Sequence, residues 1–89
     1  MIKRLKDPVL AAAYIEAAIE EGDRAGLMLA LRDVAQAQGG VAVIARKSKL
    51  SREATYRMLS ARGNPELHSL TRILGAAGMR LSVQAIARR

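Results

Sequence analysis

Apolar residues recur at helical spacing along most of the chain, and small polar residues or glycines interrupt the pattern at regular intervals. Asp7 and Pro8 open the first run. Asp is a preferred N-cap, and Pro suits the first helical position because the missing N–H had no partner there. This helix is expected to reach Glu21 and stop at Gly22, with Leu10, Tyr14, Ala17 and Ala18 as its apolar stripe and Ile15 and Ile19 broadening it. Asp23 caps a second helix whose stripe is Leu27, Leu31, Val34 and Ala35, with Met28 and Ala30 at the margins. Gly39-Gly40 ends it. A short third helix covers Val41 to Lys47, and a fourth starts at Ser51, a capping residue. Asn64 as cap and Pro65 as first residue begin a fifth helix carrying Leu67, Leu70, Ile73, Leu74 and Ala77, and Gly78 ends it. The period then changes. From Met79 to Ala85 apolar and polar residues alternate strictly, as in a half-buried strand, until Ile86 breaks the alternation.

The expectation is therefore one domain over residues 1–89: a helical pair (7–38), a helix-turn-helix (41–59), a fifth helix (65–77) and a strand (79–86). No second strand candidate exists in the chain. The strand is expected to pair with its own copy in a homodimer, Met79, Leu81, Val83 and Ala85 facing the cores; the rival is that it joins the sheet of another protein.

The stretch 41–59 carries the most chemistry. Two short helices joined by a tight break at Ser48-Lys49 are the layout in which a second helix enters the DNA major groove. Ala45 supplies the small residue where the helices cross, and Ile44, Leu50, Ala54 and Met58 point inward. Lys49 stands where glycine is usual, which requires a left-handed residue or a different turn. Thr55 stands where an aliphatic residue is usual. The competing reading is two core helices with incidental charge.

Charge changes the picture. Residues 1–38 hold five basic and six acidic residues, net −1; residues 39–89 hold ten basic residues and only Glu53 and Glu66, net +8. A basic half joined to a near-neutral half suggests two surfaces with two partners. Arg52, Glu53, Tyr56 and Arg57 occupy the outward face of the fourth helix and are the candidate base readers: the arginines toward guanine, Glu53 toward cytosine, Tyr56 toward a thymine methyl or a phosphate. Glu53 has the alternative of favouring the helix N-terminus electrostatically. Ser51 bonds a phosphate or only caps. The N–H groups of Gly40 and Val41, with Arg46, Lys47, Lys49 and Arg62, are the candidate phosphate contacts, which add affinity and salt sensitivity without reading sequence.

Composition removes other classes. The 89 residues contain no Cys, Phe or Trp. Disulfides, thiolate metal sites and thiol catalysis are excluded, and a reducing cytoplasm suits the chain. His68 stands alone, no Gly-rich phosphate loop follows a strand, and no catalytic constellation appears, so neither an enzyme nor a cofactor is expected. Two tyrosines are thin support for single-stranded RNA. Lys3, Arg4 and Lys6 before an apolar run mimic a secretory leader, but Glu16 cuts the run short and the same residues make a better amphipathic helix. No run approaches the ~20 apolar residues of a membrane span. The acidic group Glu16, Glu20, Glu21 and Asp23 reads as a solvated face or a contact for a basic partner rather than a cation site.

Three blocks together resemble a known family. DPVLAAAYIEAAIEEGD (7–23) follows DPxxAAxYxxxAxxxGD, LMLALRDVAQAQG (27–39) follows LxxALxDVAxAxG, and residues 50–83 follow LSREATYRxLSxxGNPxLxxLxxILxAxGxRLSV. The chain resembles the small Xre-type helix-turn-helix antitoxins, the addiction-module antidote proteins. The resemblance implies an all-α, five-helix lambda-repressor-like (Xre) fold and places Ser51, Arg52, Tyr56 and Arg57 on the recognition helix. It also implies a DNA-binding antitoxin that neutralises a RelE/ParE-type toxin and represses its own operon. Family sequences often carry Thr-Gly-Leu before the Ser, where this chain has Ser48-Lys49-Leu50. The alternatives are a stand-alone repressor of phage or mobile-element origin, and an interaction module without DNA. The expected partners are palindromic duplex DNA, a basic toxin contacted through Glu16, Glu20 and Glu21, and a second copy of the chain, with no membrane.

Overall fold

The computed structural model describes residues 2–87; Met1, Arg88 and Arg89 of the expected domain lie outside the described residues. A 3-10 turn over Ile2–Lys6 leads into five α-helices: α1 (Pro8–Glu21), α2 (Arg24–Ala37), α3 (Val41–Ser48), α4 (Arg52–Met58) and α5 (Leu67–Ala76). The architecture is all-α, as expected.

Local chemistry accounts for most of the boundaries. The carboxylates of Asp7 and Asp23 accept from the N–H groups of Val9 and Ala25, opening α1 and α2. Ser51 does the same for α4, its hydroxyl oxygen accepting from Ala54 at 3.0 Å. At the other ends, α2, α3 and α5 close on one geometry. Within two residues of each helix end the chain turns through a positive φ (Gly39, Lys49, Gly78), and the next residue donates back five positions, from Gly40 to Ala35, Leu50 to Ala45 and Met79 to Leu74. This six-to-one bond satisfies a carbonyl that the helix leaves open, and the residue that follows packs onto the last turn.

The core is built from Leu5, Ile15, Met28, Leu31, Val34, Ile44, Leu59, Ile73 and Leu74, with alanines filling between them. Tyr14 ties α1 to α2: its hydroxyl donates to Asp33 at 2.7 Å, and that bond, with some burial, raises the phenol pKa above its ordinary value. Among the described residues no buried side-chain N or O lacks a hydrogen-bond partner. No single helix among them is long and apolar enough to cross a membrane; α2 and α3, taken together, are bent by 87° at their junction.

Three expectations are corrected. First, α1 is turned relative to its expected stripe. Ala11 and Ile15 are buried, while Leu10 is 45% exposed, Tyr14 38% and Ile19 53%. So many positions of this helix are apolar that its sequence leaves the buried face open, and the packing of α1 against α2 decides it. Second, Met28 and Ala30 are core residues, not marginal ones, and Leu27 is only half-buried. Third, α5 begins at Leu67, not Pro65, with Glu66 as its extended cap residue. The Gly63-Asn64-Pro65 stretch is irregular, held by a local turn and one tertiary contact: Gly63 donates to Ser60 at 2.8 Å and its own carbonyl accepts from Arg24 at 2.9 Å. The strand expected over 79–86 pairs between molecules, and the single chain does not test it: residues 79–87 form no strand here. A strand requires a second strand to bond, and this chain supplies none.

Candidate nucleic-acid interface

The α3–turn–α4 unit has its geometry fixed at Lys49. This residue sits at φ 59°, ψ 39°, the one non-glycine with positive φ among the described residues. A lysine there costs roughly 1 kcal/mol relative to glycine. The cost is offset by the paired bonds from Lys49 to Arg46 and from Leu50 to Ala45, which turn the chain sharply into α4. Beneath the turn Ala45 and Ile44 are fully buried, and Leu50, Ala54 and Met58 are half-buried. Thr55 is buried where an aliphatic residue was expected. Its hydroxyl donates to the Ser51 carbonyl at 2.8 Å, so the polar group costs nothing unsatisfied.

Every side chain named as a base reader stands in solvent. Arg52, Glu53, Tyr56 and Arg57 are exposed along one stretch of α4. The Arg52 guanidinium lies over the Tyr56 ring, 5.9 Å from its centroid, which restrains both side chains without using the guanidinium's donors. Ser51 caps, and the proton of its hydroxyl is not spent in that bond. Glu53 lies in the first turn of α4, where a negative charge is favoured by the helix dipole. Arg46, Lys47, Lys49 and Arg62 are all exposed. At the start of α3, the Gly40 N–H donates to the Ala35 carbonyl at 2.9 Å. Of the two amides considered for a phosphate, Gly40 is thus already engaged, and Val41 is the one that opens the helix.

Two arginines of α2 hold this unit in place and were counted in the sequence only as charge. Arg32 donates to the Leu59 carbonyl at 2.6 Å, at the C-terminal cap of α4, where the helix dipole is negative. Arg24 donates to the carbonyls of Arg62 and Gly63, at 3.2 and 2.9 Å. Their spacing, with Met28 midway, puts both on one side of α2, which is the signal that could have revealed them. Part of the α2 charge is therefore structural, while six exposed cations, Arg46, Lys47, Lys49, Arg52, Arg57 and Arg62, gather on α3, the turn, α4 and the loop after it. Among the described residues no group of three His, Asp or Glu side chains is placed to hold a metal, the acidic group on α1 included. His68 is exposed in the first turn of α5.

This arrangement has relatives. Residues 1–85 match the model of a family described as probable addiction module antidote protein. The chain belongs to that family. As an antidote it is a regulatory protein and not an enzyme. An uncharacterised protein of Haemophilus influenzae is 31% identical over 71 residues, which cover 80% of this antidote and 72% of that protein. No solved structure matches the chain. The family match runs through α1 to α5 and into the segment after Gly78, so the antidote assignment rests on the whole domain rather than on α3 and α4 alone.

Proposed function

We propose that this antidote is the DNA-binding antitoxin of a type II toxin–antitoxin module. It neutralises a RelE/ParE-type toxin by direct binding, and represses its own operon as an Xre-type homodimer on a palindromic operator. The observation that carries the DNA reading is the exposed row Arg52, Glu53, Tyr56 and Arg57 on a short helix delivered by a tight turn, flanked by four exposed cations. Two copies of that helix spaced roughly 34 Å apart match successive major grooves.

The flanking cations set the salt response. Replacing Lys49 or Arg62 by alanine removes one phosphate contact each. Binding to every duplex then weakens, and the slope of log affinity against log salt becomes shallower by about 1. A slope unchanged in both variants removes these residues from the backbone contacts.

The toxin reading rests on the other half of the chain. Glu16, Glu20 and Glu21 are exposed on α1, in the half of net charge −1, and offer complementary charge to a basic toxin. Such charges mainly raise the association rate. Reversing all three to lysine should slow capture of the toxin encoded beside this gene and leave DNA binding intact. An unchanged association rate at low salt would remove this surface from the toxin contact.

A further inference from the structure

A trough runs along α1 on the side facing the last part of the chain. Its apolar floor and walls come from Ile15, Ile19, Leu27, Leu70 and Leu74, over a cavity of about 240 Å³. It continues between Ala12 and Met79 toward Pro8. Residues 79–82 form one wall. Met79 is half-buried against the core, and Leu81 reaches over Ile15 and Ile19 but is still 42% exposed. Beyond Leu81 the segment has nothing to lie on: Val83 is 99% exposed and Ile86 79%. Among the described residues, no backbone N–H or C=O of residues 80–87 takes part in a hydrogen bond.

We infer that residues 79–86 and the α1 trough together form the homodimer interface: the segment pairs antiparallel with the same segment of a second copy about a two-fold axis at Val83, and the two-stranded ribbon covers Ile15 and Ile19 of both copies. This rests on the dimeric reading above and says how that dimer is built. Three observations favour a second copy over any other occupant. The backbone of this exposed segment is free to pair, and the strand it matches in length and alternation is itself. Met79 and Leu81 already face the trough, so the same face of the segment carries Val83 and Ala85, which overshoot their own domain and have apolar surface to meet only on a partner. Finally, pairing about Val83 sets Leu81 opposite the partner's Ala85 and Ser82 opposite the partner's Gln84, apolar against apolar and polar against polar.

The chain has no cysteine, so a single introduced thiol reports unambiguously. Residues opposite one another in an antiparallel pair lie about 4.5–5.5 Å apart at Cα, within disulfide reach. In the full-length protein at about 10 µM, sedimentation should give the dimer mass. Val83→Cys should oxidise to a covalent dimer, and Gln36→Cys, exposed on α2, should not. Ile19→Asp and Val83→Asp should each give monomers with an unchanged helical circular dichroism spectrum. A dimer that neither aspartate variant dissociates and that Val83→Cys does not lock overturns this interface while leaving the dimeric reading standing. A monomeric full-length protein overturns both, and leaves the segment to pair with the toxin.

Discussion

Replacing Gly63 by alanine should destabilise the protein by about 3 kcal/mol or more, at the upper end of the usual cost of overpacking. A Cβ at this position would lie 1.9 Å from the Met58 carbonyl oxygen, 2.5 Å from its carbon and 2.9 Å from the Arg57 oxygen. All three are backbone atoms of the last turn of α4, so no side chain can swing aside. Relief requires moving the end of α4 or the loop, and both are held, by Arg32 on Leu59 and by Arg24 on Arg62 and Gly63. For a domain of this size the loss corresponds to a fall of roughly 12–24 °C in melting temperature. Gly75→Ala is the matched control. It sits within α5 with open space where a Cβ would go, so alanine there should stabilise by about 0.5–1 kcal/mol. Urea unfolding of the two variants checks both signs. A loss below about 1 kcal/mol at Gly63 would show that the loop yields cheaply and that the arginine clamps are loose.

Arg52→Ala should cost about 1–3 kcal/mol on the protein's specific DNA site and far less on random duplex. Arg52 is the first residue of α4, exposed, and kept over the face of Tyr56. A guanidinium restrained in that way loses less freedom when it forms two parallel bonds to a guanine edge. Alanine is a better helix former than arginine, so the substitution leaves the fold intact and the loss is read as lost recognition. The expected fall is about 5- to 150-fold on the specific site, with the preference at one base relaxed. An equal loss on specific and random DNA would make Arg52 a phosphate contact.

Most helix ends were legible because their causes are local. Asp7, Asp23 and Ser51 cap as their side chains dictate, and Gly39 and Gly78 stop helices as glycines do. At Lys49 the sequence left two choices, a left-handed residue or a different turn, and the structure takes the left-handed one. What the sequence hid was tertiary. The buried face of α1 cannot be read from a helix with apolar residues on most sides. Pro65 reads as a helix start by every local rule, yet Arg24, 39 residues before Gly63, keeps the preceding loop irregular. Arg32 reads as surface charge until the Leu59 carbonyl is seen beneath it. The alternation over 79–86 is visible in the sequence, but a strand there needs a second chain to bond, and none forms in the single chain. The exposure of Arg52, Glu53, Tyr56 and Arg57 followed from helical periodicity once the inward residues of α4 were placed.

The central claim is that α4 reads a specific duplex. Its most direct test is fluorescence anisotropy of the purified protein on a duplex taken from the DNA upstream of its own gene, titrated beside a shuffled duplex of equal length at about 150 mM salt. The expected result is a preference of at least about 10³-fold for the upstream duplex. Equal affinities for the two, falling together as salt is raised, would contradict it.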